Sequence, residues 1–159
     1  MKPTVYIETS IIGHLTTRPG RNVILAGHQE STRQWWEFSR DRFDLRASQL
    51  VIAESQAGDP TAAAERLLLL EQLMIYEILE VDVELAQKLL KVGALPPKAA
   101  DDALHVAIAT TNQVDYLLTW NLKHINNPAT KPLIEATIKQ AGYWPPVICT
   151  PDELLEVES

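Results

Sequence analysis

Short apolar runs with strand-like alternation are separated along the whole chain by longer stretches with helical spacing. Thr4 to Ile7 is β-branched and aromatic and predicts a first strand. Thr9 and Ser10 are placed to cap a short helix behind it. Arg18-Pro19-Gly20 reads as a loop, and Asn22 caps a helix running roughly from Val23 to Arg42. Phe43 to Ala47 predicts a second strand, and Ser48 caps a helix holding Val51, Ile52 and Glu54. Asp59-Pro60 opens the next helix, with the proline suited to its first turn.

Met74 to Val81 predicts a third strand, and Asp82 to Val92 a helix closed by Gly93. Pro96-Pro97 breaks the chain. Lys98 to Thr111 is apolar on most sides, the mark of a buried helix. Asp115 to Thr119 and Pro145 to Cys149 predict a fourth and a fifth strand, with a turn at Asn126-Asn127-Pro128 and a helix from Leu133 to Ala141 between them. Thr150-Pro151-Asp152-Glu153 opens a last short helix before an acidic tail from about residue 154. Strands alternating with helices predict an α/β fold: a central, mostly parallel sheet of about five strands with helices on both faces. In such sheets a ligand site lies beyond the carboxyl ends of the strands. Glu8 and Asn121 fall on that edge.

Composition narrows the function classes. At 159 residues with 46% hydrophobic positions, the chain reads as one domain, 1–159, with a core of its own. Cys149 is its one cysteine, which excludes an internal disulfide and a cysteine zinc cluster. No apolar run approaches the roughly 18 residues of a membrane span, and the start lacks a signal-peptide pattern. A cytoplasmic location is the resulting expectation. The net charge of −7 counts against broad nucleic-acid binding through a basic face, though not against local phosphate contact. Part of the acidic excess is explained if several carboxylates share a metal ion.

Four polar groups sit inside apolar runs: Glu8 in VYIETSII, Glu54 in LVIAES, Asp102 in AADDALHVAIA and Asn121 in YLLTWN. A carboxylate in a buried run is normally paired or bound to a cation. Each has a plain alternative. Glu8 can cap a helix, Glu54 can lie at the surface end of one, and Asn121 can be a turn residue. Asp101 and Asp102 sit where acids favour a helix N-terminus. Their conjunction points instead to one hard ion, magnesium or manganese, which takes oxygen ligands and acidifies a water for attack on a phosphodiester.

In order and spacing these segments resemble the PIN-domain ribonucleases, especially the VapC-type toxins of bacterial type II toxin–antitoxin pairs. The resemblance runs from about Val5 to Glu153. It rests on Tyr6-Ile7-Glu8-Thr9-Ser10, Leu50-Val51-Ile52-Ala53-Glu54, Asp102-Ala103-Leu104-His105-Val106-Ala107 and Leu117-Leu118-Thr119-Trp120-Asn121. It implies a PIN-like three-layer sandwich, a magnesium- or manganese-dependent endoribonuclease, an RNA substrate, an antitoxin partner and a homodimer. Carried over by position, Glu8, Glu54, Asp102 and Asn121 are the catalytic and metal residues. The family carries Asp at the first and fourth of these positions, so this chain keeps three carboxylates. The alternative is a PIN-like RNA- or protein-binding module with weak or lost nuclease activity.

Thr9, Ser10, Asp101 and Thr119 are supporting candidates, and Arg18, Arg21, Lys123 and His124 are candidate phosphate contacts. For Asp101 the helix-dipole reading is preferred. His105 reads first as a structural histidine, with a role in holding a carboxylate as the alternative. Trp35 and Trp36 point about 100° apart on a helix, so one can fill the core while the other is exposed or sits at a subunit interface. There is no P-loop, dinucleotide fingerprint, nucleophile elbow or H-E-x-x-H. A phosphoacceptor signalling domain needs an Asp at a central strand end, where this chain has Glu8 and Thr119.

Overall fold

The computed structural model describes residues 1–155; the end of the acidic tail lies outside them. Five strands form one sheet: β1 (Thr4–Ile7), β2 (Asp44–Ser48), β3 (Met74–Tyr76), β4 (Tyr116–Leu118) and β5 (Val147–Cys149). Their order is β3-β2-β1-β4-β5, and every pairing is parallel rather than mostly so. The helices are α1 (Thr9–Thr16), α2 (Val23–Phe38), α3 (Gln49–Ser55), α4 (Pro60–Leu70), α5 (Glu80–Lys91), α6 (Ala100–Thr111) and α7 (Lys131–Gln140).

The strand order fixes where a site can form. The chain steps outward from β1 through β2 to β3, then crosses to β4 on the other side of β1 and on to β5. Right-handed crossovers in opposite directions put their helices on opposite faces. The contacts agree: α1 touches α2, α3 and α4, whereas α5 touches α6 and α7. Between β1 and β4 the direction of winding reverses, which opens a crevice at their carboxyl ends. Tyr6 pairs with Leu117 and Ile7 with Leu118, so Glu8 and Thr119 emerge side by side at that point.

Both sheet faces are covered, and the central strands are accordingly near-continuous in hydrophobicity. Val5, Tyr6, Ile7, Leu117 and Leu118 are fully buried, with Ile11, Ile12, Leu89, Val106 and Ile108 packed around them. Trp35 and Trp36 are 0% and 8% exposed. Both therefore belong to the core, and neither ring is free for a subunit interface, contrary to the expectation from their spacing.

Three predicted elements end differently. The long second helix stops at Phe38, and Arg40–Arg42 form a separate 3-10 turn after Ser39. The third strand stops at Tyr76, not Val81. Its one neighbour, β2, ends in register at Ser48, where α3 begins, so nothing remains to pair with. Leu79 becomes the N-cap of α5 instead, and its amide donates to Asp82 Oδ2 at 2.8 Å. After β5 no helix follows among the described residues: Thr150 N–H donates to Glu153 Oε1, and Glu153 N–H donates back to Thr150 Oγ1, which closes a turn.

Asp82 is a fully buried acid away from the crevice, held by the Leu79 amide and the Thr111 hydroxyl. It answers a free donor at the start of α5 and ties α5 to α6. Asp82→Ala is expected to lower stability by about 1–2 kcal/mol, the usual scale for a lost cap. Urea unfolding checks this as a lower midpoint with an unchanged m-value; an unchanged midpoint would contradict the role.

Candidate metal-binding and catalytic site

Glu8 follows β1 directly and is 5% exposed, so its carboxylate needs partners. Its amide donates to Leu118 O at 3.2 Å, stitching it to β4. Oε1 accepts from Thr119 Oγ1 at 2.6 Å and from Ser10 Oγ. Ser10 Oγ in turn accepts from the Trp120 amide at 2.9 Å, and Thr119 Oγ1 from the Asn121 amide at 2.9 Å. Glu8 does occupy the N-cap position of α1, but its side chain makes no capping bond. Thr9 and Ser10 are not caps either; their hydroxyls hold carboxylates.

Glu54 lies in the last turn of α3, and its side chain is 31% exposed. Oε1 accepts from Thr9 Oγ1 and bonds His105 Nε2, both at 2.6 Å. His105 sits in α6 and is fully buried. Its other ring nitrogen, Nδ1, meets Tyr6 Oη at 2.8 Å, and Tyr6 Oη meets Ser48 Oγ at 2.7 Å. Asp102 lies one turn earlier in α6, and its Oδ2 pairs with His124 Nδ1 at 2.9 Å. The His124 amide donates to Asn121 Oδ1 at 3.0 Å.

One pattern unites the three carboxylates. Each is tied through a single oxygen, while Glu8 Oε2, Glu54 Oε2 and Asp102 Oδ1 accept no hydrogen bond among the described residues. Their charges meet at His105. Burial works against the charged imidazole, but the Glu54 hydrogen bond and the charges of Glu8, Glu54 and Asp102 outweigh it and raise its pKa overall. For Glu54, burial pushes the pKa up, but the His105 hydrogen bond and charge and the Thr9 hydroxyl bring it below the ordinary value.

No three carboxylate, imidazole or thiolate groups already close around one point among the described residues. The donor set still suits a hard divalent ion. Magnesium is usually held through one or two carboxylates plus waters and substrate phosphates, not by an all-protein cage. Asn121 offers less than expected, since its side-chain oxygen is engaged by the His124 amide. Cys149 is no nucleophile: burial first, then the Glu153 charge, pushes its thiol up to about 12.

The remaining candidates divide. Asp101 is exposed on the first turn of α6 and makes no bond to the site. His124 is engaged with Asp102. Arg18, Arg21 and Lys123 are exposed and have no side-chain partner among the described residues. Trp120 stands in the Thr119-Trp120-Asn121 phrase that carries the resemblance, but nothing in the sequence assigns its ring a role. It stacks on His28 at 4.0 Å between ring centroids and donates from Nε1 to Thr32 Oγ1 at 2.7 Å, pinning the site loop to α2.

No protein-family model matches the sequence. Nor does any curated protein. Solved structures do match. The chain is similar to VapC20 of Mycobacterium tuberculosis, a Sarcin-Ricin loop cleaving toxin, with TM-score 0.60 and 12% identity over 87% of this chain and 95% of that one. It is similar to a chain of VapBC-1 from nontypeable Haemophilus influenzae, with TM-score 0.59 and 14% identity over 94% and 98%. It is also similar to a chain of VapBC2 from Rickettsia felis, solved bound to a DNA fragment from their promoter, with TM-score 0.58 and 16% identity over 92% and 98%. The chain has a VapC-like PIN-domain fold. In that fold the crevice between β1 and β4 is the edge on which Glu8, Thr119 and Asn121 are gathered.

The Glu54–His105 pair predicts a pH signature. A lowered Glu54 pKa stabilises the fold above the unfolded value of about 4.3, and this contribution is lost as pH falls through the folded value. A raised His105 pKa stabilises below about 6.5, and this contribution is lost as pH rises through the folded value. With chelator present, the stability difference between the parent and Glu54→Gln is expected to be greatest between about pH 4.3 and 6.5. It should shrink on both sides in urea titrations. A difference independent of pH would contradict the ion pair.

Proposed function

We propose that this protein is a metal-dependent endoribonuclease of the PIN type, acting as the toxin of a toxin–antitoxin pair. The observation that supports the reading best is the shared state of Glu8, Glu54 and Asp102: one oxygen held by neighbours, the other without a partner among the described residues. Those three carboxylates would hold magnesium or manganese, with Asn121 assisting by fixing the loop that carries His124. When bound, such an ion acidifies water and offsets charge on a phosphodiester.

The chain's own residues would prepare the site. Ser10 and Thr119 orient Glu8, Thr9 and His105 orient Glu54, and His124 orients Asp102. Arg18, Arg21 and Lys123 are exposed cations for RNA phosphates, which an acidic protein needs locally. An antitoxin or a second copy would find apolar surface at the start of α2, where Val23 is 83% and Ile24 73% exposed.

Purified protein should cleave single-stranded RNA with magnesium or manganese and stop when the ion is chelated. Asp102→Asn should reduce cleavage by at least the roughly 10–100-fold typical of changes around metal ligands, with the fold unchanged by circular dichroism. Full activity in that variant, free of host nuclease, would sink the assignment.

The lack of a closed three-ligand cage among the described residues favours one other reading, a PIN-like RNA- or protein-binding module without catalysis. RNA binding without cleavage across both metals would select it.

The altered positions predict a metal preference. Glu8 is one methylene longer than Asp, and Asn121 carries no charge. Magnesium demands near-ideal octahedral geometry. Cleavage is therefore expected to be faster with manganese. Asn121→Asp can still accept the His124 amide and adds a negative charge, so it should tighten manganese binding in calorimetry. Affinity no better than the parent's would place residue 121 outside the metal's field.

A further inference from the structure

Ser48 and Glu54 stand at opposite ends of α3, and a continuous chain of side chains joins them through the protein core. Ser48 Oγ accepts from the Val51 amide at 3.3 Å and so caps the helix. From Ser48 the chain runs to Tyr6 Oη at 2.7 Å, to His105 Nδ1 at 2.8 Å, and from His105 Nε2 to Glu54 Oε1 at 2.6 Å. Tyr6, Ser48 and His105 are all fully buried. Burying three polar side chains is costly unless each is answered, and here each hydroxyl and both ring nitrogens have a partner.

The direction of one bond is set by chemistry. An ionised carboxylate only accepts, so Nε2 carries the proton that faces Glu54. The Thr9 hydroxyl converges on the same oxygen. Oε1 is thereby occupied by two donors, and Oε2 accepts no hydrogen bond among the described residues. Without this chain, a glutamate at 31% side-chain exposure on a short helix has several rotamers open to it. With it, the helix is clamped at both ends and the carboxylate has one direction.

We propose that Tyr6 and His105 are positioning residues: through the buried Ser48–Tyr6–His105 chain they aim Glu54 at the divalent ion. This rests on the metal-dependent reading above. Neither residue touches the ion or the RNA. Tyr6 acts only through His105, and His105 only through Glu54.

The test is a double-mutant cycle read by manganese calorimetry, with Tyr6→Phe and Glu54→Gln alone and together. Tyr6→Phe keeps the ring and its packing and removes only the hydroxyl. It is expected to weaken manganese binding about 10–100-fold, the scale of outer-layer changes around metal ligands. In the Glu54→Gln background the same change should cost less than about 2-fold, because the group it acts through is gone. The ring-nitrogen NMR signals of His105, identified by their loss in His105→Gln, should shift in both single variants. In cleavage assays Tyr6→Phe should lower kcat and leave KM for RNA unchanged. A purely structural hydroxyl would lower the melting temperature yet cost the same affinity in both backgrounds, which overturns the proposal. If the parent binds manganese and Tyr6→Phe binds it equally well, the positioning role falls and the metal site stands. If the parent binds no manganese, the metal reading itself falls and takes the proposal with it. Should Tyr6→Phe not fold, His105→Gln takes its place in the same cycle: a loss of affinity confined to the Glu54 background supports the proposal, and an equal loss in both overturns it.

Discussion

A carboxylate buried at the centre of a sheet edge must have its charge answered, and this requirement organises the crevice. Glu8 stands where β1 ends beside β4, at the reversal of winding direction. Thr119, Ser10 and the amides of Trp120 and Asn121 are all drawn into the answer. The loop after β4 is thereby fixed in shape. That loop presents His124 to Asp102 on α6, while Thr9, next to Glu8 in sequence, reaches Glu54 on α3. Glu54 on one helical layer and His105 on the other then meet across the sheet edge.

The hydrogen bonds of the acids are distributed unevenly. Asp82 uses both oxygens, on the Leu79 amide and the Thr111 hydroxyl, whereas Asp59, Asp115 and Glu153, which tie helix, strand and turn ends, use one each. Glu8, Glu54 and Asp102 each use one. What sets Glu8, Glu54 and Asp102 apart is not the single tied oxygen but that the charges of all three act on the buried His105. His105 lies within the field of all three, and although burial works against its charged form, the Glu54 hydrogen bond and their charges raise its pKa.

Much of the fold is legible in the sequence because it depends on local pattern. The β-branched run at Thr4 to Ile7 and the apolar helix holding Asp102 give their elements directly. Asn22, Ser48 and Asp59 cap their helices as their residue types predict. Sequence and structure part where tertiary pairing decides. Met74 to Val81 alternates well enough for a strand, but an edge strand lasts only as long as its neighbour. Trp35-Trp36 reads as one core ring and one surface or interface ring, but Phe43 stacks on Trp35 and Arg40 lies over Trp36, and both rings are buried. Thr9 and Ser10 have cap chemistry, yet stronger acceptors across the fold claim their hydroxyls. No local pattern shows that Tyr6 and His105, 99 residues apart, share a hydrogen bond. The three-residue step from Asp102 to His105 is the one available hint.

The divalent ion proposed to be held by Glu8, Glu54 and Asp102 should be visible as a metal site at the crevice. Anomalous diffraction from crystals equilibrated with manganese tests this most directly. A single strong peak is predicted at the β1–β4 crevice, within coordination distance of at least two of Glu8 Oε2, Glu54 Oε2 and Asp102 Oδ1. A saturated crystal with no peak there, or with manganese held only by acids elsewhere on the surface, would contradict it.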